Sequence, residues 1–234
     1  MGPAVLDRAR KVPGSQERAG DRFFRLIIAG FAGIILLAAV ALAWQLARES
    51  AETWKTFGLG FLWTSDWDPV ADSFGALPFL YGTAVSSFVA LLIAVPLGVG
   101  AAVFLTELAP PRLAAALMFA IELLAAVPSV ILGLMGIFLL VPFMRWLGSP
   151  YGVGMLTAGL ILAFMILPYI TTITREVLLT VPRPLKEAMY ALGATRWEVV
   201  RGVSLPFSRS GIVGAVFLSL GRALGETMAV TIVI

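Results

Sequence analysis

Two charged residues, Arg222 and Glu226, stand four apart inside an otherwise apolar run. A charge placed in hydrocarbon costs on the order of 3 kcal/mol or more, so such side chains face a partner, a cavity or water rather than lipid. On a continuous helix a spacing of four puts both on one face. Two readings follow: a mutual ion pair, or the polar lining of a solute path. Arginine suits an oxyanion, because its planar fork donates parallel hydrogen bonds to two oxygens. An ionised glutamate only accepts hydrogen bonds, so beside that fork it favours an anion that carries a proton over one that does not. Glu122, in another apolar run, reads as structural, and Glu107, Arg175 and Glu176 fall near span ends where long side chains snorkel. Other chemistry is scarce. The chain has no cysteine and no histidine, which removes thiol catalysis, disulfides and the commonest metal ligand. No catalytic group and no metal site are expected. No G-x-x-x-x-G-K-[ST] occurs, so ATP hydrolysis is not expected on this chain.

The elements that carry these residues are apolar. Hydrophobic residues make up 59% of the 234 positions and charged residues 13%, with a mean hydropathy of +0.95; soluble domains carry about a quarter charged residues. Several runs reach the roughly 20 residues that cross a bilayer as a helix. Lipid leaves no partner for an open strand or loop, so the fold class is all-α, a polytopic transmembrane helix bundle. Residues 1–25 read as a disordered cytoplasmic tail and 26–47 as the first transmembrane helix. That run exceeds the roughly 7–15 apolar residues of a signal peptide, so it is expected to be retained. Residues 48–78, with Trp54, Phe57, Phe61, Trp63 and Trp67, form an extracytoplasmic segment. The second span covers about Tyr81 to Leu105. The stretch from Leu113 to Trp146 is too long for one straight helix and breaks at Pro128. The fourth span covers about Gly154 to Thr174. A polar hairpin fills 175–209, and the fifth span starts near Ser210 and is still apolar at Ile234. A sixth span is expected beyond Ile234, which makes the sequence C-terminally incomplete on this reading. Gly98, Gly100, Gly133, Gly136, Gly221 and Gly225 are expected at close helix contacts.

Charge sets the orientation. Arg8, Arg10, Lys11, Arg18, Arg22 and Arg25 cluster before the first span, and Arg175, Arg183, Lys186, Arg196, Arg201 and Arg209 cluster in the hairpin. Residues 48–78 are acidic instead. Both basic segments are therefore inside and the acidic one outside, with the N-terminus cytoplasmic. Arg145 is the one cation on the wrong side. The basic segments are short and flank apolar runs, so no nucleic-acid partner is expected.

The hairpin has its own grammar. Pro184 suits a first helical turn, where its missing N–H is no loss. Leu185, Met189 and Leu192 follow at helical spacing, and Gly193 is a natural stop. Thr195 and Glu198 form a T-x-x-E capping box for a second short helix that ends before Pro206. Such a knob can sit in a partner's groove or lie on the membrane surface.

Read as one motif, Glu187-Ala188-Met189, Gly193 and Val203-Ser204-Leu205-Pro206 resemble the EAA loop of ABC type-1 (MetI-like) permeases, with Met189 and Val203 as apolar replacements of the usual alanine and isoleucine. The resemblance implies that Glu187, Ala188, Gly193, Leu205 and Pro206 form the seat for an ATP-hydrolysing subunit, and that the first short helix is the coupling helix. The run from Phe74 to Thr83, the stretch from Glu122 to Gly133 and the run from Gly221 to Val230 resemble phosphate importers. The Met228-Ala229-Val230 ending favours the PstC type over the sister PstA type. The resemblance covers about 22–234, with 79–234 as the permease domain.

What the resemblance implies is a permease subunit in a bacterial inner (plasma) membrane, crossing it several times. It would form the pathway of inorganic phosphate, with Arg222 and Glu226 in that pathway. Its partners would be a PstA-like second permease, an ABC ATPase dimer that holds ATP and Mg, and an extracytoplasmic phosphate-binding protein. No cofactor is expected on this chain. Two alternatives stay open: a permease for another oxyanion such as molybdate or sulfate, and a membrane scaffold or sensor that reports phosphate supply.

Overall fold

The structure is a computed structural model that describes residues 19–233; residues 1–18 of the expected tail, and Ile234, lie outside the described residues. Five stretches of helix among the described residues are long and apolar enough to cross a membrane. The chain divides into two units that meet between Gly75 and Ala76.

The first unit begins with helix α1, Ala19–Glu49. It is longer at both ends than the 26–47 span, so residues 19–25 are helical rather than disordered. Asp21 in its first turn and Arg48 in its last complement the helix dipole, which extends the helix into polar sequence. At 1.5 Å per residue, its 31 residues reach about 46 Å, past a hydrocarbon core of about 30 Å. Helix α2, Ala51–Phe57, and a 3-10 turn, Gly58–Leu62, follow. Strands β1, Trp67–Asp68, and β2, Ser73–Phe74, pair antiparallel. Asp68 Oδ1 closes their turn by accepting from the N–H of Val70 at 2.9 Å. The aromatic residues of this segment pack on one another: Phe74 meets Trp67 edge-on at 5.1 Å and Phe57 at 5.9 Å.

The second unit is a helix bundle. Helix α3, Leu77–Val103, starts with a proline in its first turn and ends in a π-helical segment, Phe104–Leu108. Ala109-Pro110 turns the chain into α4, Pro111–Ala125. The break expected at Pro128 follows, because the residue before a proline is pushed out of the helical region. Helix α5, Ser129–Met135, then runs through a π-helical segment, Gly136–Leu140, into α6, Val141–Trp146. The turn after α6, expected on the outer side, uses Gly148 and Gly152 at positive φ. Arg145 Nε donates to the carbonyl of Tyr151 there at 2.9 Å, which gives the wrong-side cation a local partner.

Helix α7, Met155–Leu179, is the centre of the bundle. It packs against α3 and α4, and its central turns hold the core residues Leu162, Ile166 and Ile170, each nearly inaccessible to solvent. The hairpin forms α8, Arg183–Ala191, and α9, Arg196–Val199. Helix α10, Leu205–Leu224, and helix α11, Met228–Val233, complete the unit. α10 lies against α7 and α3, and α11 against α5 and α7.

Close approach needs glycine at some of the expected positions only. A side chain at Gly98 would put its Cβ 2.8 Å from Ile170 Cγ2, and one at Gly133 would come 2.9 Å from Ala229 Cα. Gly136 lies against Ile161 in the same way, whereas Gly100 and Gly221 face open space. Gly225 meets only backbone of its own helix end, so its role is to end α10 and not to pack a neighbour.

Candidate functional site

The fifth span is not one helix. α10 stops at Leu224, Gly225 to Thr227 are non-helical, and α11 restarts at Met228. Arg222 and Glu226 therefore do not share a continuous helix face, and no ion pair joins them among the described residues. The cause is local. Gly225 closes α10 with its N–H on the carbonyl of Gly221 at 3.1 Å. Glu226 Oε1 then accepts from the N–H of Ala229 at 3.2 Å, so the carboxylate supports the first turn of α11.

Arg222 is held by an aromatic ring instead. Its guanidinium carbon lies 4.3 Å from the centroid of Tyr169 on α7. Its Nε is buried and has no hydrogen-bond partner. A ring fixes a cation through its quadrupole without neutralising it. Sequence reasoning missed Tyr169, since nothing in a lone tyrosine of an apolar run reveals which charge it faces. Arg222 and Glu226 are both half-buried, Arg222 in the last turn of α10 and Glu226 within the break itself. The break and the turn before it thus carry a guanidinium and a carboxylate four positions apart, the two functions that a protonated oxyanion requires. A separate groove of about 360 Å³, among Ile93, Leu97, Leu132, Phe164 and Leu167, is lined by apolar residues and carries no such chemistry.

The hairpin lies at the other end of the bundle. Pro184 is in the first turn of α8, and Gly193, at φ +84°, ends it in the left-handed region that favours glycine. The capping box is complete. Thr195 Oγ1 accepts from the Glu198 N–H at 3.4 Å, and Glu198 Oε2 accepts from the Thr195 N–H at 2.7 Å and from its hydroxyl at 2.8 Å. The backbone bond first, and the hydroxyl second, hold the Glu198 carboxyl below its usual pKa. The second short helix does not end before Pro206, however. α9 passes through a π-helical segment, Val200–Ser204, straight into α10. The i→i+5 register shifts the hydrogen-bond ladder just where the ring of Pro206 cannot donate, so the chain stays helical through the proline. The continuous stretch Arg196–Leu224 has 29 residues, about 43 Å at 1.5 Å per residue, and exceeds a hydrocarbon core of about 30 Å. Its first part, with α9, therefore projects beyond the apolar layer.

The motif residues separate into two groups. Glu187, Ala188 and Gly193 are exposed together at the hairpin, beside the exposed side chains of Leu185 and Leu192. Pro206 is exposed at the start of α10, and Leu205 turns inward onto Ala102, Val103, Leu178 and Val200. Glu107 departs from the expectation that it snorkels. It is buried at the end of α3, where Oε1 accepts from Lys186 Nζ at 2.6 Å and from Ser204 Oγ at 2.8 Å.

Five apolar helical stretches among the described residues, with a capped polar hairpin at one end, define a polytopic membrane protein. The chain belongs to the family of binding-protein-dependent transport system inner membrane components, whose sequence profile matches residues 71–234. It is 48% identical over 221 residues to a "Phosphate transport system permease protein PstC" of Mesorhizobium japonicum, covering 86% of this chain and 67% of that one. It is 46% identical over 237 residues to a protein of that name in Pasteurella multocida, covering 93% and 72%. Among solved structures it resembles an inward-facing MetNI methionine ABC transporter, with a TM-score of 0.52 and 28% identity over 64% of this chain and 68% of that one. The all-α polytopic fold and the family expected from the sequence are both borne out.

Proposed function

We propose that this chain is the membrane permease subunit of an ATP-driven phosphate importer. The similarity to permeases named for phosphate transport supports the substrate. The observation that carries the site is the Arg222 guanidinium, fixed over Tyr169 in the last turn of α10 before its break from α11. The guanidinium fork takes two oxygens of hydrogen phosphate, and the carboxylate accepts its proton; sulfate offers no proton and meets repulsion. The site must release the ion as well as take it, so much of the selectivity rests on an extracytoplasmic phosphate-binding protein.

The remaining partners follow from the hairpin. Glu187, Ala188 and Gly193 seat an ABC ATPase dimer that carries ATP and Mg, and this chain pairs with a PstA-like permease. The protein does no chemistry itself. It lies in a bacterial plasma membrane with its N-terminus cytoplasmic. Each nucleotide state favours a different arrangement of the spans, because the ATPase binds the two arrangements unequally. The test is uptake of labelled phosphate by cells that lack their own phosphate importers and express this chain with its neighbouring subunits. ATP-dependent uptake that excess sulfate does not suppress is the expected result. An assembled complex that takes up sulfate or molybdate, or no oxyanion, would overturn the reading.

A further inference from the structure

Glu107 is a largely buried charge of the second unit that substrate chemistry does not use; its side chain is 9% exposed. It lies on the π-helical end of α3, Phe104–Leu108. Its Oε1 receives one bond from Lys186 of α8, which is 18% exposed at its side chain, and one from Ser204, which is fully buried. Ser204 closes the second π-helical segment, Val200–Ser204. One carboxylate oxygen thus ties three parts of the chain: the inner end of α3, the first limb of the hairpin, and the entry to α10. Residues 79 and 97 positions away in sequence meet there.

The surroundings favour a joint that stays closed. Ala102 and Val103 of α3, Leu178 of α7 and Val200 of the second π-helical segment form one buried apolar cluster, joining α3 to the entry to α10 as the carboxylate does. Water has little access to replace either bond, and an unpaired carboxylate is costly in such a place. The two limbs of the hairpin also touch each other, since a Cβ at Gly202 would lie 3.3 Å from Met189 Cε. Chain continuity links the hairpin to α7 and to α10, but not to α3. The link to α3 is made by Lys186 and Glu107, next in sequence to Glu187 on the exposed seat.

The geometry points to Glu107 as the positioning residue that passes hairpin movement to α3. The Lys186–Glu107–Ser204 joint makes the hairpin, the start of α10 and the inner end of α3 one rigid body. This inference rests on the reading of the hairpin as the seat of the ATPase. Glu107 touches neither ATP nor substrate.

The test uses the assembled importer in proteoliposomes, with Glu107→Gln, Lys186→Gln and the double exchange Glu107→Lys with Lys186→Glu. Phosphate uptake per ATP hydrolysed is expected to fall about tenfold in each single variant, with the amount of assembled complex unchanged, and to recover to within about threefold in the exchange. An unchanged ratio in the single variants would overturn the proposal, as would a loss confined to assembly or an exchange that restores nothing. Because the chain has no native cysteine, spin labels at Leu108→Cys and Leu192→Cys give a second reading with cysteine-free partners. Their distance distribution is expected to stay narrow with and without ATP, and to broaden in Glu107→Gln. Two labels that move apart with ATP in the unaltered chain would overturn the joint. A complex without phosphate uptake but with a constant label distance would sink the transport reading and leave the joint standing.

Discussion

The Arg222 guanidinium stacks on the Tyr169 ring at 4.3 Å and makes no ion pair with Glu226. This sets aside the mutual ion pair as the reading of an intramembrane arginine. Paired with a carboxylate it would be a neutral structural link. Held by a ring, it keeps its charge. Cation–π contact is worth about 1–2 kcal/mol when desolvated, and about 1.4 kcal/mol is a factor of ten. Tyr169→Leu is therefore expected to lower the initial rate of phosphate uptake roughly tenfold by letting the guanidinium wander. Tyr169→Phe keeps the ring and should stay within about threefold of the unaltered chain. Equal rates for all three would show that the ring does not position Arg222.

One substitution separates the observed cap that Glu226 makes on α11 from the anion filter proposed for it. Its Oε1 accepts from the Ala229 N–H, and an amide oxygen can do the same. Glu226→Gln should leave the start of α11 in place while removing the charge that repels a fully ionised oxyanion. Lower phosphate flux, or weaker discrimination against sulfate in a competition assay, is the expected result. Unchanged flux together with unchanged discrimination would remove Glu226 from the pathway.

The hairpin carries a pH dependence of definite sign. Two bonds from Thr195 lower the pKa of Glu198 in the folded hairpin. A lowered folded value means that the capping contribution is fully present above the unfolded carboxylate pKa and is lost as pH falls through the folded one. The protection factors of the α9 backbone amides, taken relative to their intrinsic exchange rate at each pH, should fall as the medium is acidified below the ordinary carboxylate range. Thr195→Ala should give low protection factors already at neutral pH and remove most of the acid dependence. A flat profile in the unaltered hairpin would contradict the cap.

Packing at Gly98 sets a stability prediction. The added Cβ would lie 2.8 Å from Ile170 Cγ2, on the buried contact between α3 and α7. Overpacking of this kind costs about 1–3 kcal/mol. Gly98→Leu should lower the melting temperature of the detergent-solubilised subunit, whereas the same change at Gly100, which faces open space, should not. Similar melting temperatures for the two variants would show that the contact is loose.

Much of this was legible in the sequence because the bilayer imposes strong rules. Span length, the break at Pro128, and the caps at Pro184, Gly193 and Thr195 follow from local chemistry that lipid or tertiary context does not override. The failures have a common cause. The continuity of the fifth span was read from hydropathy, yet Gly225 and the capping carboxylate of Glu226 break it, and a hydropathy pattern is blind to a short break. Glu107 was placed at a span end by counting, where a solvated head is the usual outcome; its burial depends on Lys186 and Ser204, far away in the sequence. Tyr169 was invisible for the same reason. Pairings across the bundle need the packing of α7 against α3 and α10, which no single run reveals.

The most direct measurement is phosphate uptake by the assembled importer carrying Arg222→Ala, with the complex quantified alongside. The account expects uptake to fall by at least about a hundredfold, as loss of a charge-assisted bidentate contact worth about 3 kcal/mol would produce, with assembly and nucleotide binding unchanged. Uptake within a few-fold of the unaltered complex would show that the ion passes without Arg222, and would contradict the site.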